Sequence, residues 1–130
     1  MILAMQESVL IPVVFESPLT GRRYPESGEV LATLDTGYTG FALVPRDVFA
    51  ALGLDQLEPV EARARTADGR EVTLRGSYAS ISIQEDRVKL DGLVETADGV
   101  EEILLGMEWA KRVYVVLDGC SEVVVLRGCP

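Results

Sequence analysis

A chain of 130 residues, 48% apolar and 25% charged, has the size and balance of one globular domain with its own core. Its net charge of −9 argues against a nucleic-acid or anionic-membrane surface, because both need clustered Lys and Arg. The lack of histidine excludes Ser-His-Asp and Cys-His catalysis, His-ligated zinc and histidine pH switching, which leaves Asp, Glu, Lys or Tyr for acid–base work.

In chain order, the start Met1-Ile2-Leu3-Ala4-Met5-Gln6 lacks a basic segment and does not read as a signal peptide. No apolar run is long enough to span a bilayer, so a cytoplasmic location is expected. Residues 9–15 are apolar and β-branched and predict a strand, with Pro12 marking an edge or a bulge. Residues 16–21 have turn composition. Strands follow at 30–34 and 41–44. Pro45 then opens a short helix over 46–52, with Val48, Phe49 and Leu52 at helical spacing and Gly53 as its stop.

Residues 60–83 read as a long hairpin turning at Asp68-Gly69 and bending at Gly76. A strand is expected over 87–95, a short apolar one over 103–105, and a short helix over 107–112. Two closing strands, 113–117 and 122–126, are joined at Asp118-Gly119. The further Asp-Gly pairs at 91 and 98 are likewise read as turns. Many short strands separated by turns predict an all-β architecture, closed or sandwiched. Cys120 and Cys129 flank the last apolar run; spacing permits one disulfide, and two free thiols are the simpler expectation. Arg63, Arg65, Arg70 and Arg75 make a basic stripe on the hairpin, read as a solvated face, and Trp109 is read as core.

The run Val30-Leu31-Ala32-Thr33-Leu34 ends abruptly in Asp35-Thr36-Gly37. Aspartate is unfavourable in a strand interior and costly to bury alone, so an acid at the mouth of an apolar strand is a candidate for chemistry. One carboxylate there does little. Two within hydrogen-bond reach cannot both ionise cheaply, so one pKa falls, the other rises, and the pair shares a proton. Such a pair can activate a water against a peptide carbonyl and needs no metal, cofactor or histidine. The chain carries one Asp-Thr-Gly, so a pair requires two chains.

With its hairpin at Thr66-Ala67-Asp68-Gly69 and its later Ile103-Leu104-Leu105-Gly106, the chain resembles the retropepsin-type aspartic proteases of clan AA, single-domain members that work as homodimers. The resemblance covers nearly the whole chain, residues 1–130 as one domain. It implies a closed acid-protease-like barrel with a flap hairpin and one or two short helices. It also implies an aspartic endopeptidase acting on peptide or protein substrates. In that reading Asp35 is the catalytic acid from each subunit, Thr36 locks the two loops together and Gly37 lines the substrate channel. Tyr38, Ala67, Asp68, Gly69, Leu105 and Gly106 would contact substrate or flank it, and the terminal strands would interleave across the dimer. Two positions depart from the family: Tyr38 stands where small residues often follow the triplet, and Met107 where many viral members carry a charge. The run from Asp35 to Phe41 and into Leu43-Val44-Pro45 is more similar to the bacterial and archaeal branch. Two other readings stay open: a non-catalytic peptide-binding or dimerisation module on the same fold, and an unrelated monomeric barrel in which Asp35 caps a turn.

Overall fold

A computed structural model describes residues 1–66, 68–83 and 87–130. Eleven strands are formed among these residues: β1 (Ile2–Ala4), β2 (Leu10–Glu16), β3 (Arg23–Tyr24), β4 (Val30–Leu34), β5 (Ala42–Val44), β6 (Val60–Arg65), β7 (Glu71–Ile83), β8 (Val88–Thr96), β9 (Leu104–Leu105), β10 (Val113–Asp118) and β11 (Val123–Gly128). Two short helices, α1 (Arg46–Ala51) and α2 (Met107–Ala110), and one 3₁₀ turn (Leu54–Gln56) complete the fold. The all-β expectation holds, and both helices lie where Pro45 and Gly106 open them.

The larger sheet runs β3-β2-β4-β9-β5-β8-β7-β6. Because β2 also pairs with β7, the path β2-β4-β9-β5-β8-β7 returns on itself. That closure hides strand edges that would otherwise invite pairing with other chains. The hairpin β6–β7 extends from this ring. Alternation along β2 sends Ile11, Val13 and Phe15 inward, all with no exposed surface. They meet Trp109, Phe41, Leu52 and Leu54 in one core, so Trp109 is the core residue the sequence predicts. Among the described residues Pro12 has a ladder partner on one side alone, Leu31 of β4. Pairing with β7 begins at Val14. Its missing N–H is therefore tolerated.

Two expectations need correction. Asp91-Gly92 is no turn: it lies inside β8, paired with Ser80 and Ala79 of β7. A Cβ at Gly92 would overlap the Phe41 ring, so the glycine admits an aromatic ring against the strand. Gly76 marks no bulge, since the register of β7 with β8 continues through it; it is the last residue that β6 pairs. Cys120 and Cys129, both exposed and unbridged, lie beyond opposite ends of β11. Six strand residues hold them roughly 20 Å apart, far outside disulfide reach within one chain.

The second sheet has the order β1-β11-β10. Here β11 lies between two strands of its own chain, with Ile2 opposite Val125 and Val116 opposite Val125. An apolar row of Ile2, Val125 and Val116 crosses the sheet, with Ile2 72% exposed.

Candidate functional site

Asp35 follows directly from β4, where Thr33 and Leu34 pair in parallel with Leu104 and Leu105 of β9. Its backbone N–H donates to the Leu105 carbonyl at 2.9 Å, so the ladder is continued one residue past the strand. The turn then closes on the acid: the Gly37 N–H donates to Asp35 Oδ1 at 2.9 Å and the Tyr38 N–H to the Asp35 carbonyl at 3.1 Å. Asp35 is half-buried as a residue, while Thr36 and Gly37 are exposed.

A second segment clamps this loop. The Gly106 N–H donates to Phe41 O at 3.0 Å, Met107 N–H to Tyr38 O at 2.8 Å, and Glu108 N–H to Gly40 O at 3.1 Å. Gly106 is the residue that permits the approach, because a Cβ there would overlap the Gly40 carbonyl and stand 2.6 Å from the Tyr38 carbonyl. Leu105 has no exposed surface. Leu105 and Gly106 therefore stand behind the cleft lining and hold the loop, while their neighbour Leu104 lines the cleft.

A cleft of about 1050 Å³ opens between this loop and the β6–β7 hairpin. Asp35, Gly37 and Tyr38 line it on one side, Ala62, Ala64 and Leu74 on the other. Alternation and register put Ala62 opposite Leu74 and Ala64 opposite Val72, an apolar face toward the cleft. Arg63 and Arg65 border it and alternate with them. The basic stripe is not continuous: Arg70 pairs with Asp68 at 3.0 Å and Arg75 is half-buried.

The hairpin turn is internally bonded. Asp68 accepts from the Thr66 hydroxyl and from Arg70 Nε, and these bonds, that from Thr66 first, hold its carboxyl below the usual range. Asp68 and Gly69 are exposed, and the Asp68 side chain is engaged with its own turn. Gly69 takes φ 88°, the left-handed conformation its position requires. Ala67 lies outside the described residues.

Tyr38 is a cleft wall with a buried tip. Its hydroxyl lies 2.5 Å from Glu95 Oε1 and 3.2 Å from the Ala42 carbonyl. Burial, followed by the bond and charge of Glu95 and the charge of Glu108, pushes the phenol well above its ordinary pKa, so it remains a donor. Glu95 itself is 6% exposed and lines the same cleft. Sequence reasoning passed over Glu95, although the signal that exposed Asp35 is present there too, an acid at the end of the apolar run Leu93-Val94. Substituting Tyr38 with Phe is expected to lower stability by about 1.5–3 kcal/mol, the range for a hydrogen bond to a charged group. Denaturant unfolding of the variant beside the parent protein measures it, and unchanged midpoints would mean the bond contributes nothing.

Comparison with known proteins places this geometry. Residues 26–112 match the sequence family described as gag-polyprotein putative aspartyl protease. An uncharacterized protein of Archaeoglobus fulgidus is 43% identical over 120 residues, covering 92% of this chain and 94% of that protein. Among solved structures, a retropepsin-like aspartic protease from Rickettsia conorii superposes with a TM-score of 0.63 at 16% identity, over 95% of each chain. The retroviral protease-like domain of Ddi1 from Leishmania major gives 0.56 at 14% identity, over 95% of this chain and 94% of that one. EIAV protease complexed with the inhibitor HBY-793 gives 0.53 at 13% identity, over 82% and 88%. At such identities these structures establish a shared fold.

Proposed function

Because the chain belongs to the gag-polyprotein aspartyl protease family and has the retropepsin-like fold, we propose that it is an aspartic endopeptidase assembled as a homodimer. Asp35 is the catalytic acid in this proposal. The observation that carries the reading is the Asp35 carboxylate, held by the Gly37 N–H at a strand end and opening into a cleft beneath a hairpin. One such acid is half of a pair. The exposed Thr36 and Gly37 and the exposed apolar Ile2 offer surfaces for a second copy.

In the dimer a water lies between the two Asp35 carboxyl groups. The ionised member takes a proton from the water as its oxygen attacks the peptide carbonyl carbon. The protonated member donates a hydrogen bond to the carbonyl oxygen and stabilises the charge that develops there. The tetrahedral adduct collapses with cleavage of the C–N bond, the proton passes to the leaving amine, and the dyad returns to one shared proton. Thr36 ties the two loops through its hydroxyl. Gly37 lines the channel, and Tyr38 with the hairpin face walls it. The hairpin turn, with Asp68 and Gly69, lies over an extended peptide that pairs as an added strand.

The test is hydrolysis of a fluorogenic peptide library from acid to neutral pH, at enzyme concentrations spanning the dimerisation midpoint. Specific activity should peak at acid pH and rise with concentration as monomer is converted to dimer. Pepstatin, a mimic of the tetrahedral adduct, should inhibit it. Peptide binding without turnover at any pH would favour a binding module on the same fold. Full activity from a demonstrable monomer would end the proposal.

A further inference from the structure

Glu95 holds a second carboxylate in the cleft, one that the proposed hydrolysis does not use. It is 6% exposed and lies in a slot that two glycines make. A Cβ at Gly40 would stand 2.8 Å from its Oε1, and one at Gly76 3.2 Å from its Cγ. The Tyr38 hydroxyl reaches Oε1 at 2.5 Å. Among the described residues no other donor bonds this carboxylate and no Lys or Arg lies within ion-pair distance of it. A carboxylate can accept about four hydrogen bonds. An ionised one that is buried and unpaired is costly. A cation that enters the cleft removes that cost. Asp35 and Glu108 border the same space, and with Glu95 these three acids outnumber the two bases there, Arg63 and Arg65, by one.

We infer that the cleft selects peptides bearing a lysine or arginine side chain beside the cleaved bond, with Glu95 as the specificity-determining residue. The basic head would pair with the open side of the Glu95 carboxylate. Its methylene stem would lie along the apolar lining, of which Leu43 and Leu93 are part. The inference rests on reading the cleft as a peptide site, and it names the substrate class that site prefers.

The experiment walks a single lysine, or its uncharged analogue norleucine, through each position flanking the cleaved bond of an otherwise apolar peptide. At one position lysine should be preferred by about tenfold or more in kcat/KM, the size of one charge-assisted hydrogen bond. Glu95→Gln should bring that ratio close to one, and Glu95→Asp, which keeps the charge, should retain a basic preference. The melting curve and sedimentation of each variant verify its fold. Absence of any basic preference in the parent protein would overturn the inference, whatever the variants do. A preference that survives Glu95→Gln would also overturn it and move recognition to another group. Binding of the same peptides to Asp35→Asn, read by fluorescence anisotropy, gives the lysine-to-norleucine ratio without cleavage. If that ratio holds while no form of the protein cleaves, the substrate class stands and the endopeptidase reading falls.

Discussion

Replacing Asp35 with Asn is expected to leave a folded, dimeric protein whose peptide cleavage is slower by about a thousandfold or more, within the range that positioned acid–base groups supply. The fold should persist because the amide oxygen can still accept the Gly37 N–H, and the 2.9 Å bond from the Asp35 N–H to Leu105 is made by backbone. Nor does any ion pair in the described residues involve Asp35. The chemistry should fail because an amide neither takes the proton from water nor shares one with its twin. Circular dichroism and sedimentation check the first half of the expectation, and single-peptide kinetics the second. Cleavage within a few-fold of the parent rate would mean that another group activates the water.

Gly106→Ala is expected to be the most damaging single methyl in the chain. The added Cβ would collide with backbone, the Gly40 and Tyr38 carbonyls, which cannot rotate away as a side chain can. Relief requires parting the loop 35–41 from α2 and breaking the bonds from Gly106, Met107 and Glu108 into it. The cost should be about 3 kcal/mol, the upper part of the usual range for overpacking. Any protein that still folds should lose activity out of proportion to its stability, since the displaced loop carries Asp35. Gly40→Ala is the informative contrast. There the Cβ would meet the ends of Tyr38 and Glu95, which are side chains and can shift. Comparable unfolding midpoints for Gly106→Ala and the parent would show that the two segments are not clamped as described.

What the sequence disclosed well was local. An acid after a largely apolar strand, a proline before a helical spacing, and a hydrophobic pair before Gly106 each bring their own physical signature, and each lies where expected. What it disclosed poorly was either short or distant. The strands at residues 2–4 and 23–24 are too short to show a period, and their pairing with β11 and β2 supplies what composition does not. Asp91-Gly92 has the composition of a turn, but Phe41, 51 positions before that glycine, needs it in mid-strand. The Tyr38–Glu95 bond spans 57 residues, and only the parallel pairing of β5 with β8 brings the two together. Leu105 and Gly106 were legible as a motif near the acid. Their place behind the cleft follows from the side to which β9 turns its residues, which spacing alone does not encode.

In the proposed enzyme two chains complete one site, and a crystal structure of the assembled protein measures it most directly. The nearest carboxyl oxygens of Asp35 and the partner subunit's Asp35 should lie about 3 Å apart, within hydrogen-bond reach, beneath the two hairpins. Carboxyl groups separated well beyond that reach in every assembly the protein forms would contradict it.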